Sequence, residues 1–261
     1  MAKYNVHGGH NPSGKTACGA TGFLDESRED RLITKAILKY LKKGGAIVYD
    51  CTVSNGKSQK DVLVKICAKC NAHSVKQDYS VHLNSGRNDK KGDKKNGGFE
   101  VWAYSWDSSK KAVANRCRKK MKALGFTDRG LKTSKDLYYL RHTKAPAMLF
   151  EICFVDDKDD YLLYKTVGAD RIGKALAEAI LDKSIKTSTT SKVVGSVKSG
   201  VKVKIKSGAV YGGASKGKRV PSAYIGKKYT VTKVQKNSGR QEALIKQLNS
   251  WVPTKYLSVV K

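Results

Sequence analysis

Hydrophobic positions recur along this chain in two rhythms. Leu32, Ile33, Ala36, Ile37, Tyr40 and Leu41 return at the helical period of about 3.6 residues, and Gly44-Gly45 ends the run, which predicts a helix over 27–43. A second helix is expected from Ser58, because Asp61 follows at the spacing of an N-terminal capping pair and Val62, Leu63 and Ile66 form an apolar stripe. Further helical stretches are expected over 108–124 and 157–182. Between them lie short runs with strand character at 2–7, 46–50, 79–83, 99–104 and 147–154. The last of these, Ala147-Met-Leu-Phe-Glu-Ile-Cys-Phe154, is apolar throughout except for Glu151. Strands alternating with helices predict an α/β domain with a mostly parallel twisted sheet flanked by helices.

The rhythm changes near residue 183. Residues 183–198 are rich in Ser, Thr and Lys and lack a helical period, so a linker is drawn over 183–197, between a domain at 1–182 and another at 198–261. Short alternating segments then appear at 201–205, 228–234 and 242–246, separated by turns of Gly, Asn and Ser, as in a small all-β module. The 261 residues include 52 Lys+Arg against 22 Asp+Glu, a net charge of +30. Residues 183–261 hold 18 of those bases and a single acid, Glu242. Such an excess calls for a polyanionic partner, whether nucleic acid, a membrane surface or an acidic cell wall. No apolar run approaches the ~18 residues of a membrane span, so no membrane insertion is expected. The opening Met1-Ala-Lys-Tyr-Asn-Val does not look like a signal peptide. The six cysteines all precede residue 155 and read as reduced thiols of a protein made in a cytoplasm.

Two chemistries compete for the first loop. Gly9-His-Asn-Pro-Ser-Gly14-Lys15-Thr16 spells GxxxxGK[ST], the phosphate-cradling pattern. That cradle needs a helix starting at the Lys-Thr, whereas Ala17-Cys-Gly-Ala-Thr-Gly22 follows here. A P-loop NTPase or basic nucleic-acid-binding protein using Gly9–Thr16 is the alternative, without a helix-turn-helix or RNA-binding signature beside it. The other chemistry starts from His10 just past a strand end, Glu26 at the head of the next helix and His82 in a later strand. In a parallel sheet such positions gather at one edge. Two imidazoles and a carboxylate there make a three-ligand zinc site with one position open for water. Glu151, costly in an apolar strand without a partner, would stand beside that water as general base.

Each residue also has a plainer use. His7 competes as a ligand but falls within a strand body. Glu26 could serve only the helix dipole, His82 a core hydrogen bond, and Glu151 a salt bridge. Together the four positions favour the site, with Glu100 as a reserve acid. Cys67-Ala-Lys-Cys70-Asn-Ala-His73 offers metal-binding residue types, but on one helix positions 67 and 73 point roughly 120° apart. Cys153 reads as an inert buried thiol. The long polar loop 85–98, next to His82, is expected at the rim of a cleft.

The stretches Val6-His-Gly-Gly-His10, Gly19-Ala-Thr-Gly22, Leu24-Asp-Glu26, Tyr79-Ser-Val-His-Leu-Asn84, Gly98-Phe-Glu-Val-Trp102 and Pro146-Ala-Met-Leu-Phe-Glu151 through Phe154 carry a resemblance. In this order the chain resembles the zinc-dependent N-acetylmuramoyl-L-alanine amidases of the amidase 3 type, found in phage endolysins and bacterial autolysins, over roughly residues 1–182. The resemblance implies that His10, Glu26 and His82 bind one Zn2+ ion and that Glu151 is catalytic, with Asn84 as a substrate-binding residue. The chain departs from the family at Asn11, where such loops often carry Gly, and at Ser85, where Ala is common. Val201-Lys-Val-Lys-Ile205, Tyr211, Lys228-Tyr-Thr-Val and Ser250-Trp-Val-Pro253 resemble a bacterial SH3-like (SH3b) wall-binding barrel over about 198–261. Trp251, Tyr211 and Tyr224 there either line a peptide groove or pack the barrel core. The implied activity is that of a peptidoglycan hydrolase, an endolysin cleaving the amide between N-acetylmuramic acid and L-alanine. Its implied partners are bacterial peptidoglycan and anionic wall polymers, not nucleic acid. The expected setting is a phage protein made in the host cytoplasm and released to the wall. No oligomeric state is indicated.

Overall fold

A computed structural model describes residues 1–185, 197–237 and 240–260, so most of the expected linker lies outside the described residues. The chain divides into two compact units, Met1–Ile185 and Lys186–Lys261. In the first, the described elements are β1 (Lys3–Gly8), α1 (Glu26–Lys43), β2 (Ile47–Asp50), α2 (Gln59–Asn71), β3 (Gln77–Asn84), β4 (Phe99–Ala103), α3 (Ser108–Ala123), β5 (Asp128–Thr133), α4 (Tyr138–His142), β6 (Ala147–Phe154), α5 (Lys158–Val167) and α6 (Ala169–Leu181). Four helices begin where an acid or serine can cap them. Asp25, Ser58, Asp107 and Asp157 each accept a hydrogen bond from the backbone N–H three residues on, satisfying one of the free donors of the first turn.

The strands form one sheet in the order β2-β1-β3-β6-β4-β5. Pairing is parallel throughout except between β4 and β6. α1, α3 and α6 pack on one face, where Val6, Tyr79, Val81, Val101, Phe150 and Ile152 join the main core. On the other face α2 and α4 cover a smaller apolar cluster with Cys51, Val53, Ala147 and Leu149.

The structure departs from the sequence expectation in three places. The helix expected over 157–182 is two helices, α5 and α6, parted at Gly168, whose φ of 79° suits glycine. β5 and α4 were not expected. β5 is an edge strand of half-buried residues without apolar alternation, and α4 has only 5 residues, too few to show a period. The second unit is a five-stranded antiparallel sheet of β7 (Lys202–Ile205), β8 (Lys228–Asn237), β9 (Arg240–Ile245), β10 (Ser250–Pro253) and β11 (Leu257–Val259), ordered β10-β9-β8-β7-β11. Val203, Ile205, Val231, Ala243, Ile245 and Val252 are its core, and Tyr211 and Tyr224 pack against it. Trp251 is half-buried on β10, close against Gly213. No helix among the described residues is long and apolar enough to cross a membrane.

Candidate metal centre

Side chains alternate across a strand, so each strand of the first sheet serves two environments. One side is apolar. On the other, register sets His7 beside Ser80, Ser80 beside Leu149, His82 beside Glu151, and Glu151 beside Glu100. This polar row ends where β1 runs into the loop that carries His10, and the head of α1 brings in Glu26.

There three side chains meet. His10 Nε2 and His82 Nδ1 each lie 3.0 Å from Glu26 Oε1, and 3.1 Å from one another. A tetrahedron with ligand bonds of about 2.0–2.1 Å has edges of about 3.3–3.4 Å, so the three atoms already sit close to one face of such a polyhedron. Two imidazole nitrogens and a carboxylate oxygen are the donor set of a divalent transition metal. The backbone is shaped around this group. A Cβ on Gly9 would fall 1.8 Å from His82 Cε1, so only glycine lets the loop pass the ring.

Glu26 is oriented by two backbone donors, Leu83 N–H to Oε1 at 3.1 Å and Ala20 N–H to Oε2 at 2.8 Å. Burial alone would raise its pKa, but hydrogen bonds from His10 and His82 outweigh burial and hold the carboxyl well below its usual range. Burial pushes the His82 imidazole down, against the pull of Glu26, which favours the neutral ring that a metal ligand requires. Glu151 faces His82 from β6. Burial first, then the charges of Glu26 and Glu100, push its carboxyl well above the carboxylate range, and its Oε2 is buried without a protein partner.

His7 belongs to the strand body and is not one of the three converging groups. It is 1% exposed, and its Nδ1–H donates to Gly8 O at 3.2 Å. Asn84 stands beside the centre with its side chain committed: Nδ2 donates to Glu100 Oε1 at 3.0 Å and Oδ1 accepts from Ser85 N–H. The reserve acid Glu100 is held by Arg129 at 2.8 Å and by the Trp102 indole N–H at 3.1 Å. Asn11 has a local job: its amide donates to Thr16 O and Gly56 O and accepts from Gly56 N–H, tying the loop to the chain before α2. Loop 85–98 is fastened to the start of α5, with Asp156 accepting from Gly86, Arg87 and Asn88 N–H and Asp157 pairing with Arg87. Cys67 and Cys70 are buried in the apolar cluster under α2, and His73 stacks on Tyr49.

Two residues that support the centre escaped the sequence reading. Asp30, one helical turn past Glu26, accepts from Gly9 N–H at 3.1 Å, and burial followed by the Glu26 charge pushes its pKa up to about 8. Arg31 donates to His10 O at 2.7 Å and to Val53 O. The signal for Asp30 was its i+4 spacing from Glu26 on one helix face. Among the described residues one other group lies close enough together to hold an ion, Asp89, Asp93 and Asp159, but its carboxylates accept backbone N–H groups of loop 85–98.

The phosphate-cradle alternative fails on geometry. Gly14–Thr16 forms a turn, Lys15 is exposed with its N–H on Pro12 O, and α1 starts only at Glu26. Among relatives, an uncharacterized protein of Clostridium perfringens (strain 13 / Type A) is 35% identical over 186 residues, 70% of this chain and 52% of its own length. The endolysin of Bacillus phage SPP1 is 32% identical over 142 residues, 49% of each chain. The chain thus spans about half the length of these relatives. Among solved structures, the catalytic domain of the CD27L endolysin targeting Clostridia difficile superposes with a TM-score of 0.63 at 26% identity, covering 71% of this chain and all of that one. The catalytic domain of the amidase CwlV from Bacillus (Paenibacillus) polymyxa var. colistinus shares the fold, with a TM-score of 0.57 at 21% identity over 70% of this chain and 97% of that one. Residues 6–182 match the Amidase_3 model, so the chain belongs to the N-acetylmuramoyl-L-alanine amidase family.

Proposed function

We propose that this chain is a zinc-dependent peptidoglycan hydrolase of the endolysin type that cleaves the amide between N-acetylmuramic acid and L-alanine. The observation that carries the reading is the convergence of His10, Glu26 and His82 at 3.0–3.1 Å with Glu151 in register beside His82. Family membership and the likeness to two endolysins point the same way.

Amides resist hydrolysis because the carbonyl is unactivated and the amine leaves poorly. A zinc ion held by His10, Glu26 and His82 would supply Lewis-acid polarisation of the scissile carbonyl and acidify a water. Glu151 takes the proton of the attacking water and returns it to the departing alanine nitrogen. Burial and the charges of Glu26 and Glu100 raise its affinity for a proton, which suits a group that must take a proton from the water and hold it until the amine departs. Asp30 and the backbone donors to Glu26 keep the first loop and the carboxylate in place while this happens.

In the same reading the basic C-terminal unit is an SH3-like wall-binding module, and its charge draws the enzyme to anionic wall polymers. The protein is made in a bacterial host and acts on the wall after release. Incubating purified walls with the chain and identifying the cleaved bond by mass spectrometry tests the activity. New L-alanine amino termini are expected; they should vanish with a chelator and return on adding zinc. Walls that clear with only glycosidic or peptide cross-link cleavage would refute the reading.

A further inference from the structure

The turn that leads into α1 is fixed more firmly than a connecting loop requires. Thr21 and Asp25 pair as an isolated antiparallel bridge, and inside it Gly22 N–H donates to Leu24 O at 2.8 Å. Phe23 and Leu24 N–H both donate to the carbonyl of Val155, the residue after β6, at 2.8 and 3.3 Å. A Cβ on Gly22 would fall 2.5 Å from that same oxygen, so glycine is what lets the turn come so close. Leu24 goes into the main core. Phe23 goes the other way and is 39% exposed, whereas Phe99, Phe126, Phe150 and Phe154 are all buried. Its ring stacks on Tyr161 of α5, with 5.6 Å between centroids and 26° between planes. A locked turn thus holds one aromatic ring open to solvent, backed by a second.

The ring has a polar border. With Tyr161, Arg28 and Lys165 it lines a recess of about 290 Å3, none of whose lining residues belongs to the cleft of His10, His82 and Glu151. Asp25 and Glu29 line it too, but their carboxylates are committed, Asp25 to Arg28 N–H and the Ser13 hydroxyl, and Glu29 Oε2 to the Tyr164 hydroxyl. Arg28 and Lys165 are exposed and pair with no acid among the described residues, and the Tyr161 hydroxyl has no partner among them either. The recess therefore sets hydrogen-bond donors round an aromatic face. A pyranose ring is the complement of such a surface, with C–H groups on its face and hydroxyl and carbonyl oxygens round its rim. A bare polyanion would make no use of the ring, and an aliphatic side chain no use of the donors. The recess also lies at the sheet edge where the metal centre forms, because its turn is pinned just past the end of β6. Phe23 precedes Glu26 by three residues, so their Cα atoms are at most about 11 Å apart.

We propose that Phe23, backed by Tyr161, is a sugar platform that takes one pyranose ring of the glycan strand beside the metal centre. The source of that sugar rests on the amidase reading, in which the scissile amide hangs from a ring of the strand. Arg28, Lys165 and the Tyr161 hydroxyl donate to the oxygens round the bound ring. The contact lies off the reacting atoms and holds the strand equally before and during reaction, so its loss appears in KM and not in kcat.

The test labels the full, metal-loaded chain with 4-fluorophenylalanine. The chain has 5 phenylalanines, and the fluorine resonance of Phe23 is identified as the one missing from Phe23→Leu. Titration with a β-1,4-linked tetramer of N-acetylglucosamine should move the Phe23 resonance saturably and leave those of the buried rings in place. In cleavage of solubilised wall glycan by the unlabelled chain, Phe23→Ala should raise KM about five- to tenfold with kcat little changed, and Phe23→Trp should restore KM. A Phe23 resonance that stays still with the tetramer, or that moves only with sodium polyphosphate, overturns the proposal. So does a Phe23→Ala chain whose KM is unchanged, or whose loss lies in kcat and is not restored in Phe23→Trp, because the ring would then serve only the turn. The fluorine titration needs no turnover. A chain that takes the tetramer at Phe23 but leaves walls uncut loses the amidase reading and keeps the sugar site.

Discussion

Changing His7 to Asn should alter how the fold responds to acid. His7 is fully buried in β1, its ring set edge-on to Tyr139 at 4.7 Å between centroids, and burial pushes its pKa from 6.5 down to about 3. The folded state therefore refuses a proton that the unfolded chain accepts. The stability this contributes is complete above about pH 6.5 and is lost as pH falls from there towards 3. At pH 5 the unfolded imidazole is almost wholly protonated and the folded one is not. The loss between pH 7.5 and pH 5 is then about 2 kcal/mol for this one group. Asparagine keeps a donor near the Nδ1 position and does not titrate. Urea unfolding should be followed by helical circular dichroism, because the described α-helices all belong to the first unit. Carboxylates and the metal centre add their own pH dependence to both proteins, and it cancels in the comparison. The wild type should lose about 2 kcal/mol more than His7→Asn over that interval. Equal losses would show that the His7 ring is hydrated or protonated in the folded state.

Other changes probe the centre and the basic unit. Glu151→Gln should cut release of alanine amino termini by about 10²–10⁴-fold while metal content by elemental analysis stays at the wild-type ratio. Loss of metal would instead make Glu151 a ligand. Gly9→Ala places a Cβ 1.8 Å from His82 Cε1, so the ring must turn away and zinc affinity, read by competition with a chromophoric chelator, should fall by about 10–100-fold. Wall retention of an inactive Glu151→Gln chain should weaken steadily between about 50 mM and 500 mM NaCl if charge draws the chain to the wall, and salt-insensitive retention would contradict that role.

Much of the first unit was legible because its signals are local. Of the α1 stripe, Ile33, Ala36, Ile37, Tyr40 and Leu41 are buried as the period demands while Leu32 stays exposed, and Ser58 caps α2 as the spacing from Asp61 predicts. The convergence of His10, Glu26 and His82 was legible because parallel strands end at one edge, where the next helix also starts. Gly168 lies inside a run that looked helical throughout, and only its backbone angle marks the break between α5 and α6. β5 was invisible because an edge strand half open to solvent needs no apolar alternation. Asp30 was missed because its i+4 spacing from Glu26 says only that the two share a helix face, while its role is to accept from a loop amide 21 residues away.

The two faces of the sheet explain why the site and the fold can share the same strands. In β3 the sequence Asp78-Tyr-Ser-Val-His-Leu83 sends Tyr79, Val81 and Leu83 into the main core and Asp78, Ser80 and His82 to the other side. In β1, Asn5 and His7 flank Val6 in the same way, and in β4, Glu100 and Trp102 flank Val101. Such a polar face is stable only if its groups are paired or used. Asn5 is paired, donating to Asp78 at 2.7 Å and to Cys70 O at 2.9 Å, and Glu100 is paired by Arg129, Asn84 and Trp102. Asn5 Oδ1 and Asp78 Oδ2 at the starts of β1 and β3, and His7 Nε2, Ser80 Oγ and Glu151 Oε2 further along, are buried without a partner among the described residues, and of these Glu151 lies in register beside His82. The period of 2 that builds the core thus also lays out the site. The paired polar residues support the face, and Glu151, unpaired beside His82, is the one the proposed chemistry uses.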